Sequence, residues 1–449
     1  MKHPVRRLAC GLVLAWFAAA CSSENNNSSN NVVNVDPTMS ESAIASAFSG
    51  AAANSTIQMA AGTYKFANSL NLSTNDNITV KGAGMTSTIL DFKNQSAGAD
   101  GVVQSVPANS TVKAIFQDFS IQDTAGDGLK VTGSSALHVK NVGVSWPTRT
   151  THGGYGIYPV QSKSVLVENC TVDGASDTGI YVGQSDGIVV RNNVLTHNVA
   201  GIEIENSSNA DVTANDSHDN TAGFLVFELP TLPKVGGHNI RVYSNNFHDN
   251  NTPNFGDPSG TVALVPAGTG GLVLAVTKVE VFGNTFTNNG ALGLAIVSCY
   301  TAFGADSNSP CMHATSGYVA IPNSVSAHGN TYTHNGADPA VILANNPAGH
   351  PSNAFALLIA SGFLPPGWAG GHVSDVSYDG VFPLGGTGNL YSICTDGTGG
   401  GSTGKFANLH LDKVAQGQTL SSVYQFDDPA FIGCTPQGFP LPAVPVPTF

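Results

Sequence analysis

A segment of alternating apolar and polar residues recurs along the middle of the chain, and most copies end in asparagine. The copies read VENCTVDG from Val167, VRNNVLTHN from Val190, VTANDSHDN from Val212, VYSNNFHDN from Val242, VFGNTFTNN from Val281 and AHGNTYTHN from Ala327. The closest copies are about 22–24 residues apart, which is typical of one coil of a β-solenoid. The short alternating runs predict parallel strands that stack coil upon coil.

Aligning the copies places asparagines in two columns. The first column contains Asn141, Asn169, Asn193, Asn215, Asn245, Asn284 and Asn330, and the second contains Asn198, Asn220, Asn250, Asn289 and Asn335. Asparagine tolerates the left-handed backbone of a corner, and its amide can bond the asparagine of the next coil. Two residues beyond the first column, an inward apolar stack is predicted at Leu195, Phe247, Phe286 and Tyr332.

A glycine and then a second alternating strand follow each copy. These strands begin GIYP from Gly156, GIYV from Gly179, GIEI from Gly201, GFLV from Gly223 and GLAI from Gly293. The predicted inward residues are Ile157, Ile180, Ile202, Phe224 and Leu294, and the predicted outward residues are Tyr158, Tyr181, Glu203, Leu225 and Ala295. Two columns in register predict an all-β fold, a right-handed parallel β-helix with one chain winding through every coil.

The two ends of the chain differ from the repeat. Apolar residues at helical spacing between Ser40 and Phe48 predict a helix that caps the first coil. Residues 340–449 are rich in proline and glycine and predict an irregular C-terminal cap. The predicted organisation is therefore a signal peptide at 1–20, a flexible tether at 21–37, the β-helix at 38–339 and the cap at 340–449.

The first residues predict export. A basic start precedes an apolar run of about 13 residues, too short to span a bilayer. Three alanines then lead to Cys21, as in the bacterial lipobox, where the cysteine is diacylated; ordinary cleavage is the alternative. Two acyl chains would hold the protein on a bilayer. We expect a lipid anchor in the cell envelope, at the outer membrane, facing the periplasm or the cell surface.

Charge and cysteine content narrow the classes of function. The formal net charge is −13, which leaves no electrostatic attraction for nucleic acid. The cysteines suit an oxidising compartment. We expect two disulfides, Cys299–Cys311 and Cys394–Cys434, and a buried free thiol at Cys170. A metal site is the alternative for these cysteines, but no CxxC spacing supports it.

The segment from Tyr155 to Pro230 resembles the right-handed β-helix superfamily of alginate epimerases and polysaccharide lyases. Residues 38–435 resemble a family of bacterial β-helix lipoproteins of unknown function, often encoded beside an exported c-type cytochrome. The resemblance implies a polysaccharide or a periplasmic c-type cytochrome as a partner. The stretch YGIYPVQ departs from the epimerase motif, because Tyr158, Val160 and Gln161 replace its Asp, His and Asp. The departure argues against epimerisation, although Tyr158 could serve as a base beside a cation.

One outward face is predicted to bind a ligand. Tyrosines and carboxylates on a flat β-face suit sugar rings, which stack on aromatic faces and donate hydrogen bonds to carboxylates. An ordinary soluble sheet surface is the alternative. The candidate residues are Tyr158, Tyr181, Glu203, Glu205, Arg149, His152 and Asp177.

No cofactor is predicted, although calcium is compatible with this composition. His218 and His248 fall in one outward column, each followed by aspartate, and are weak candidates for a transition-metal site. A polar ladder at a corner of the solenoid is the commoner explanation. We predict a non-catalytic binding or scaffold protein for a glycan or periplasmic partner, with a lyase or epimerase of acidic polysaccharide as the alternative.

Overall fold

The computed structural model describes residues 31–336, 339–356, 374–381, 389–396, 406–419, 423 and 425–449. The predicted signal peptide and the predicted lipidation site Cys21 lie outside the described residues. Within the described residues, no helix is both long and apolar enough to cross a membrane.

The strands form three ladders along the helix axis, and most coils add one strand to each ladder. The first ladder contains β1 (Asn31–Val35), β2 (Ser55–Met59), β5 (Ile78–Lys81), the first half of β8 (Lys113–Gln122) and of β10 (Ala136–Ser145), β12 (Lys163–Glu168), β15 (Asp186–Arg191), β18 (Ser208–Thr213), β21 (His238–Tyr243), β24 (Thr277–Phe282), β27 (Asn323–His328) and β30 (Ile393–Thr395).

The second ladder is made of shorter strands. It contains β3 (Gly62–Lys65), β6 (Thr88–Asp91), the second halves of β8 and β10, β13 (Thr171–Asp173), β16 (Val194–Thr196), β19 (Asp216–His218), β22 (Asn246–His248), β25 (Thr285–Thr287) and β28 (Thr331–Thr333).

The third ladder carries the glycine-led strands. It contains β4 (Asn68–Asn71), β7 (Ala97–Ser105), β9 (Leu129–Thr132), β11 (Tyr155–Val160), β14 (Thr178–Gly183), β17 (Ala200–Glu205), β20 (Ala222–Phe227), β23 (Thr269–Leu274), β26 (Leu292–Val297), β29 (Val376–Tyr378), β31 (Phe406–Asn408) and β32 (Gln425–Phe426). Every pairing is parallel except that of β31 with β32. The predicted parallel β-helix is confirmed.

The predicted inward residues form the core. The inward residues of the third ladder are buried, as are the rings of the apolar stack on the second ladder. Phe247 lies 5.3 Å from Phe286, and Phe286 lies 5.0 Å from Tyr332, measured between ring centroids. Ser217 interrupts this stack, and its hydroxyl donates to the Gly223 carbonyl.

The asparagine columns form buried hydrogen-bonded ladders, but the predicted first column needs a correction. Asn193 donates to Asn215 of the next coil, and its own oxygen accepts the backbone N–H of Cys170. Cys170 therefore occupies the ladder position, while Asn169 lies one residue earlier with φ of 55°. Asn141, with φ of 50°, shares this left-handed corner position. The amide ladder begins at Asn193, and the buried thiol of Cys170 precedes it.

Helix α1 (Glu41–Ser49) covers the first coil, as predicted. Ser40 caps it by accepting the Ala43 N–H, and Ile44 and Phe48 are buried against the core. Strand β1 lies inside the segment predicted to be a tether, because its alternating residues pair with β2 from Asn31 onward.

The C-terminal region continues the solenoid and adds short helices. Strands β29, β30 and β31 extend the ladders beyond residue 339, the predicted end of the β-helix. Helices of this half include α2 (Cys299–Phe303), α3 (Pro339–Asn345) and α4 (Leu411–Ala415), with 3₁₀ turns at Thr261–Leu264 and Pro310–His313. Both expected disulfides, Cys299–Cys311 and Cys394–Cys434, are present.

Candidate functional site

The outward face of the third ladder changes character along the helix axis. Strand register places Tyr158 beside Lys130 of the preceding coil. On the two coils that follow Tyr158, it places Tyr181 beside Glu203. Further along, the outward residues are apolar and pack beneath the insertions at 251–268 and 298–322. The polar half is called here the tyrosine–carboxylate cluster, which contains Tyr155, Tyr158, Asp177, Tyr181, Glu203 and Glu205.

Three tyrosines meet at the centre of this cluster. The rings of Tyr155 and Tyr158 are stacked, with centroids 4.4 Å apart and an interplanar angle of 14°. The ring of Tyr181 lies 4.9 Å from that of Tyr155 and 4.8 Å from that of Tyr158. Tyr155 and Tyr158 are half-buried, whereas Tyr181 is buried. The accessible part of the cluster is therefore a pair of stacked rings.

Gly183 makes room for the Tyr181 side chain. A Cβ atom at this position would lie 2.1 Å from the Tyr181 hydroxyl oxygen, so a larger residue would displace the ring. In the space left by Gly183, the Tyr181 hydroxyl donates a hydrogen bond to Glu205 on the next coil. The conformation of Tyr181 thus depends on glycine at position 183. At the same outward position, the next two coils carry Glu205 and Phe227.

The carboxyl groups of the cluster hold protons more tightly than usual. Burial raises the pKa of Glu205 to about 7, against the lowering effect of the Tyr181 hydrogen bond. Burial also raises the pKa of Asp177 to about 6, although hydrogen bonds from Thr178 and Tyr155 oppose the shift. Burial and the charges of Asp177 and Glu205 raise the pKa of Glu203. At neutral pH the cluster therefore contains both protonated and ionised carboxyl groups.

Lys130 and Asp127 also border the cluster, and sequence reasoning did not select them. The Lys130 ammonium lies 5.2 Å from the centroid of the Tyr158 ring and 3.0 Å from an Asp127 carboxylate oxygen. Burial and the charge of Asp127 raise the pKa of Tyr158 to about 12. A phenolate is therefore disfavoured, which weakens the hypothesis that Tyr158 acts as a base.

Arg149 and His152 do not join the cluster, contrary to the predicted ligand face. The Arg149 guanidinium donates to the backbone carbonyl of Asp123 at 3.1 Å. His152 contacts the backbone carbonyls of Gly174 and Arg149, and its ring stacks against Trp146. The loop after β10 carries both residues and folds back onto the corner between the second and third ladders. This packing occupies their polar groups.

Two other residues of the predicted ligand face are less accessible to solvent than expected. Glu203 and Glu205 point outward from the helix axis but are 2% and 6% exposed. One insertion passes close to the cluster, because a Cβ atom at Gly256 would lie 3.2 Å from the carbonyl oxygen of Ser176, beside Asp177. The insertion at 229–237 lies along the opposite edge, where Lys234 donates to the Ser185 carbonyl.

Among the buried side-chain oxygens with no hydrogen-bond partner within the described residues, two lie in or beside the tyrosine–carboxylate cluster. They are Oε1 of Glu203 and Oε1 of Gln184. Buried polar atoms nearly always have a hydrogen-bond partner, so these two oxygens are candidates for contact with water or with a ligand. A polar cavity of about 470 Å³ lies beside Gln184 and is also lined by Gln161, Lys163, Asp186 and Lys234.

The apolar half of the face encloses a second cavity of about 100 Å³. It lies between strands β20, β23 and β26 and the 3₁₀ turn at Thr261–Leu264. Its lining carries almost no polar atoms, so it lacks groups for orienting a polar ligand.

Metal-binding geometry occurs elsewhere. Within the described part of the chain, one group of at least three His, Cys, Asp or Glu side chains is close enough to share an ion: Asp216, His218 and His248. These residues lie on the second ladder, away from the tyrosine–carboxylate cluster. They include both histidines that the sequence singled out.

Comparison with curated proteins gave no match. The A-module of mannuronan C-5 epimerase AlgE4 from Azotobacter vinelandii is similar in structure, with 16% identity, 65% of this chain and 82% of that chain covered, and a TM-score of 0.44. The catalytic unit of a GH87 α-1,3-glucanase from Streptomyces thermodiastaticus is 15% identical, covering 78% and 50%, with a TM-score of 0.44. At these values the comparisons assign no activity to the chain.

A third solved structure, DFA-IIIase from Arthrobacter chlorophenolicus A6, is 13% identical, covering 68% of this chain and 89% of that one, with a TM-score of 0.43. The family model described as the right-handed beta helix region matches residues 76–232 and 127–309, which together span more than half of the sequence. The chain therefore belongs to the right-handed β-helix family.

Proposed function

We propose that the protein binds a neutral glycan at the tyrosine–carboxylate cluster. The observation that carries this proposal is the stacked pair Tyr155 and Tyr158 beside an unpaired, buried oxygen of Glu203. A pyranose ring presents C–H groups to an aromatic face and hydroxyl groups at its edge. The two tyrosines supply the apolar platform, and Glu203 accepts a hydroxyl hydrogen bond.

The charge of the cluster selects against acidic polysaccharides. Asp100, Asp127 and Asp177 lie near the tyrosines together with Glu203 and Glu205, and Lys130 is paired with two of these aspartates. A uronate would place another negative charge among these groups, at a cost that rises in a partly buried site. A neutral sugar instead satisfies the carboxyl oxygens with hydroxyl donors. Neutral glycans therefore suit this face better than alginate or pectate.

The polar cavity beside Gln184 extends the same surface. Its lining offers side-chain amides, hydroxyls and ammonium groups, which are the usual hydrogen-bonding partners of sugar hydroxyls. The unpaired oxygen of Gln184 supplies one more acceptor. Gln184 directly follows β14, so a glycan of several sugars would continue from the stacked tyrosines around this corner.

Hydrolysis of the bound glycan is a second candidate function, favoured by one observation. A carboxyl group with a pKa of about 7, such as Glu205, is suited to act as a general acid, and Asp177, with a pKa of about 6, is the more readily ionised partner. The lyase or epimerase alternative has less support, because Tyr158 resists ionisation and Arg149 is held elsewhere. A Glu205→Gln variant would lose activity but keep binding if hydrolysis takes place.

The test is a screen of the full chain on immobilised neutral and acidic glycans, followed by calorimetry with the strongest oligosaccharide. Replacing Tyr158 with alanine is expected to weaken binding roughly tenfold, because one stacking face is lost. Tyr158→Phe keeps the ring and should bind within about threefold of the wild type. Reducing-end release in the same samples detects hydrolysis.

Tyr243→Ala is the matched control. Tyr243 is an outward, half-buried tyrosine on the first ladder, where it stacks on Phe282. Its loss should leave glycan affinity unchanged. Preferential binding of polyuronates, or equal affinity of Tyr158→Ala and wild type, would exclude the proposed site.

The cellular setting of this function rests on the sequence. We propose a lipid anchor at Cys21 and a location at the outer membrane, and the family resemblance suggests a periplasmic c-type cytochrome as a protein partner. Palmitate labelling of the wild type and of Cys21→Ser tests the anchor.

A further inference from the structure

Two histidines are stacked on the outside of the second ladder. Strands β19 and β22 are adjacent and parallel, and register places His218 opposite His248. The imidazole rings lie 4.7 Å apart with an interplanar angle of 14°. Each side chain is 25% exposed, so the rings are held by neighbours yet reachable from solvent.

A following aspartate orients each ring. Asp219 and Asp249 have left-handed φ angles of 55° and 53°, which turn their carboxylates back toward the preceding histidine. The Nδ1 atoms of His218 and His248 each lie 2.8 Å from one of these carboxylates. A carboxylate accepts hydrogen bonds, so Nδ1 is the donor in each of these pairs and Nε2 is the atom that faces away from the orienting aspartate. This carboxylate–histidine arrangement is the one that supports metal-ligating histidines.

A third ligand lies beside the exposed ring nitrogens. Nε2 of His248 is 3.1 Å from Oδ1 of Asp216, close to the ligand–ligand distance of about 3.3 Å expected around tetrahedral zinc. The Asn246 amide donates to the same Asp216 oxygen and holds the carboxylate in place. The ligand atoms of Asp216, His218 and His248 all lie within 4.8 Å of one another.

The adjoining coils do not continue this arrangement. The matching positions are Val194 and Thr196 on the preceding coil, and Thr285 and Thr287 on the following coil. A ladder that served only for solubility would not require histidine on two adjacent coils together with an aspartate on each. The grouping is local, with Asp216, Asp219 and Asp249 adding negative charge around two imidazoles.

We propose that Asp216, His218 and His248 bind a divalent transition-metal ion. Two imidazole nitrogens and one carboxylate oxygen suit Zn²⁺ and the neighbouring first-row ions, and three protein ligands leave one position for water. The site is independent of the glycan face.

Calorimetric titration of the full chain with Zn²⁺ alone tests the proposal. One ion per chain is expected, with affinity reduced at least 30-fold in His248→Gln and in Asp216→Asn. Asp249→Asn removes the negative charge of the acceptor that orients His248 and should weaken binding about tenfold. Thermal melting of each variant without zinc shows whether the fold is intact.

His197→Gln is the matched control. His197 lies at the corresponding corner of the preceding coil and pairs with Asp173 at 2.7 Å, outside the three-ligand group. Its affinity for Zn²⁺ should stay within twofold of the wild type. Absence of stoichiometric binding to the wild type, unchanged affinity in folded His248→Gln, or an equal loss in His197→Gln would overturn the proposal.

Discussion

Replacing Asn220 with alanine is expected to lower the free energy of unfolding by about 4 kcal/mol, several times the effect of an ordinary surface change. The Asn220 side chain is fully buried, and its oxygen accepts both the backbone N–H and the side-chain amide of Asn198 at 2.9 Å. Its amide donates to the Leu195 carbonyl and to Asn250. Alanine would leave these groups buried and unpaired.

Urea unfolding followed by circular dichroism measures this loss. Asn71→Ala is the control, because Asn71 is an exposed residue of β4 and its loss should cost less than about 0.5 kcal/mol. A loss below about 1 kcal/mol for Asn220→Ala would mean that the buried amide ladder contributes little to stability. The loss of unfolding free energy expected for Asn198→Ala is smaller, because the amide ladder ends on the neighbouring coil, where Ala175 takes the asparagine position.

Lowering the pH from 8 to 5 is expected to stabilise the protein through Glu205 by about 2.5 kcal/mol. Burial raises the folded-state pKa of Glu205 to about 7 from its ordinary value of 4.5. The folded chain therefore binds this proton more tightly than the unfolded chain. The contribution is fully present below pH 4.5 and is lost as the pH rises through 7. Asp177, whose pKa is also raised by burial, acts in the same direction.

Unfolding of the wild type and of Glu205→Gln across this pH range isolates the effect. Glutamine does not ionise, so the variant should lack about 2.5 kcal/mol of the pH dependence. Glu168→Gln should change the pH dependence of stability in the opposite direction. Burial raises the pKa of Glu168, but hydrogen bonds from Arg191 and His138 outweigh this effect and lower the pKa. Identical pH dependence in wild type and Glu205→Gln would show that Glu205 titrates normally.

The repeat allowed the core to be predicted because burial follows the alternation of strand residues. Ile157, Ile180 and Phe224 are buried on one face, as the pattern required. The predicted first asparagine column was wrong by one residue at its start, because the alignment of the repeats could place either Asn169 or Cys170 in it. Backbone conformation decides between them, because Asn169 takes the left-handed corner and Cys170 the buried position. A single sequence does not display that difference.

The candidate site could be predicted only in part. Alternation placed Tyr158, Tyr181 and Glu203 on one outward face, and the structure brings them together. The insertions decide which of them are accessible, and their path depends on long-range packing. Tyr155 begins the strand that carries Tyr158, and Lys130 lies on the glycine-led strand of the preceding coil. Register across coils was the signal that could have found Lys130, since it is the residue opposite Tyr158.

The most direct test of glycan binding at the tyrosine–carboxylate cluster is an NMR titration of ring-¹³C-tyrosine protein with the oligosaccharide chosen by the screen. Tyrosine-to-phenylalanine variants assign the signals. Binding at the proposed site predicts that the Tyr155 and Tyr158 signals shift in proportion to occupancy while the Tyr243 signal stays in place. Saturable binding that moves neither Tyr155 nor Tyr158 would contradict the proposed site and place the glycan on another face of the helix.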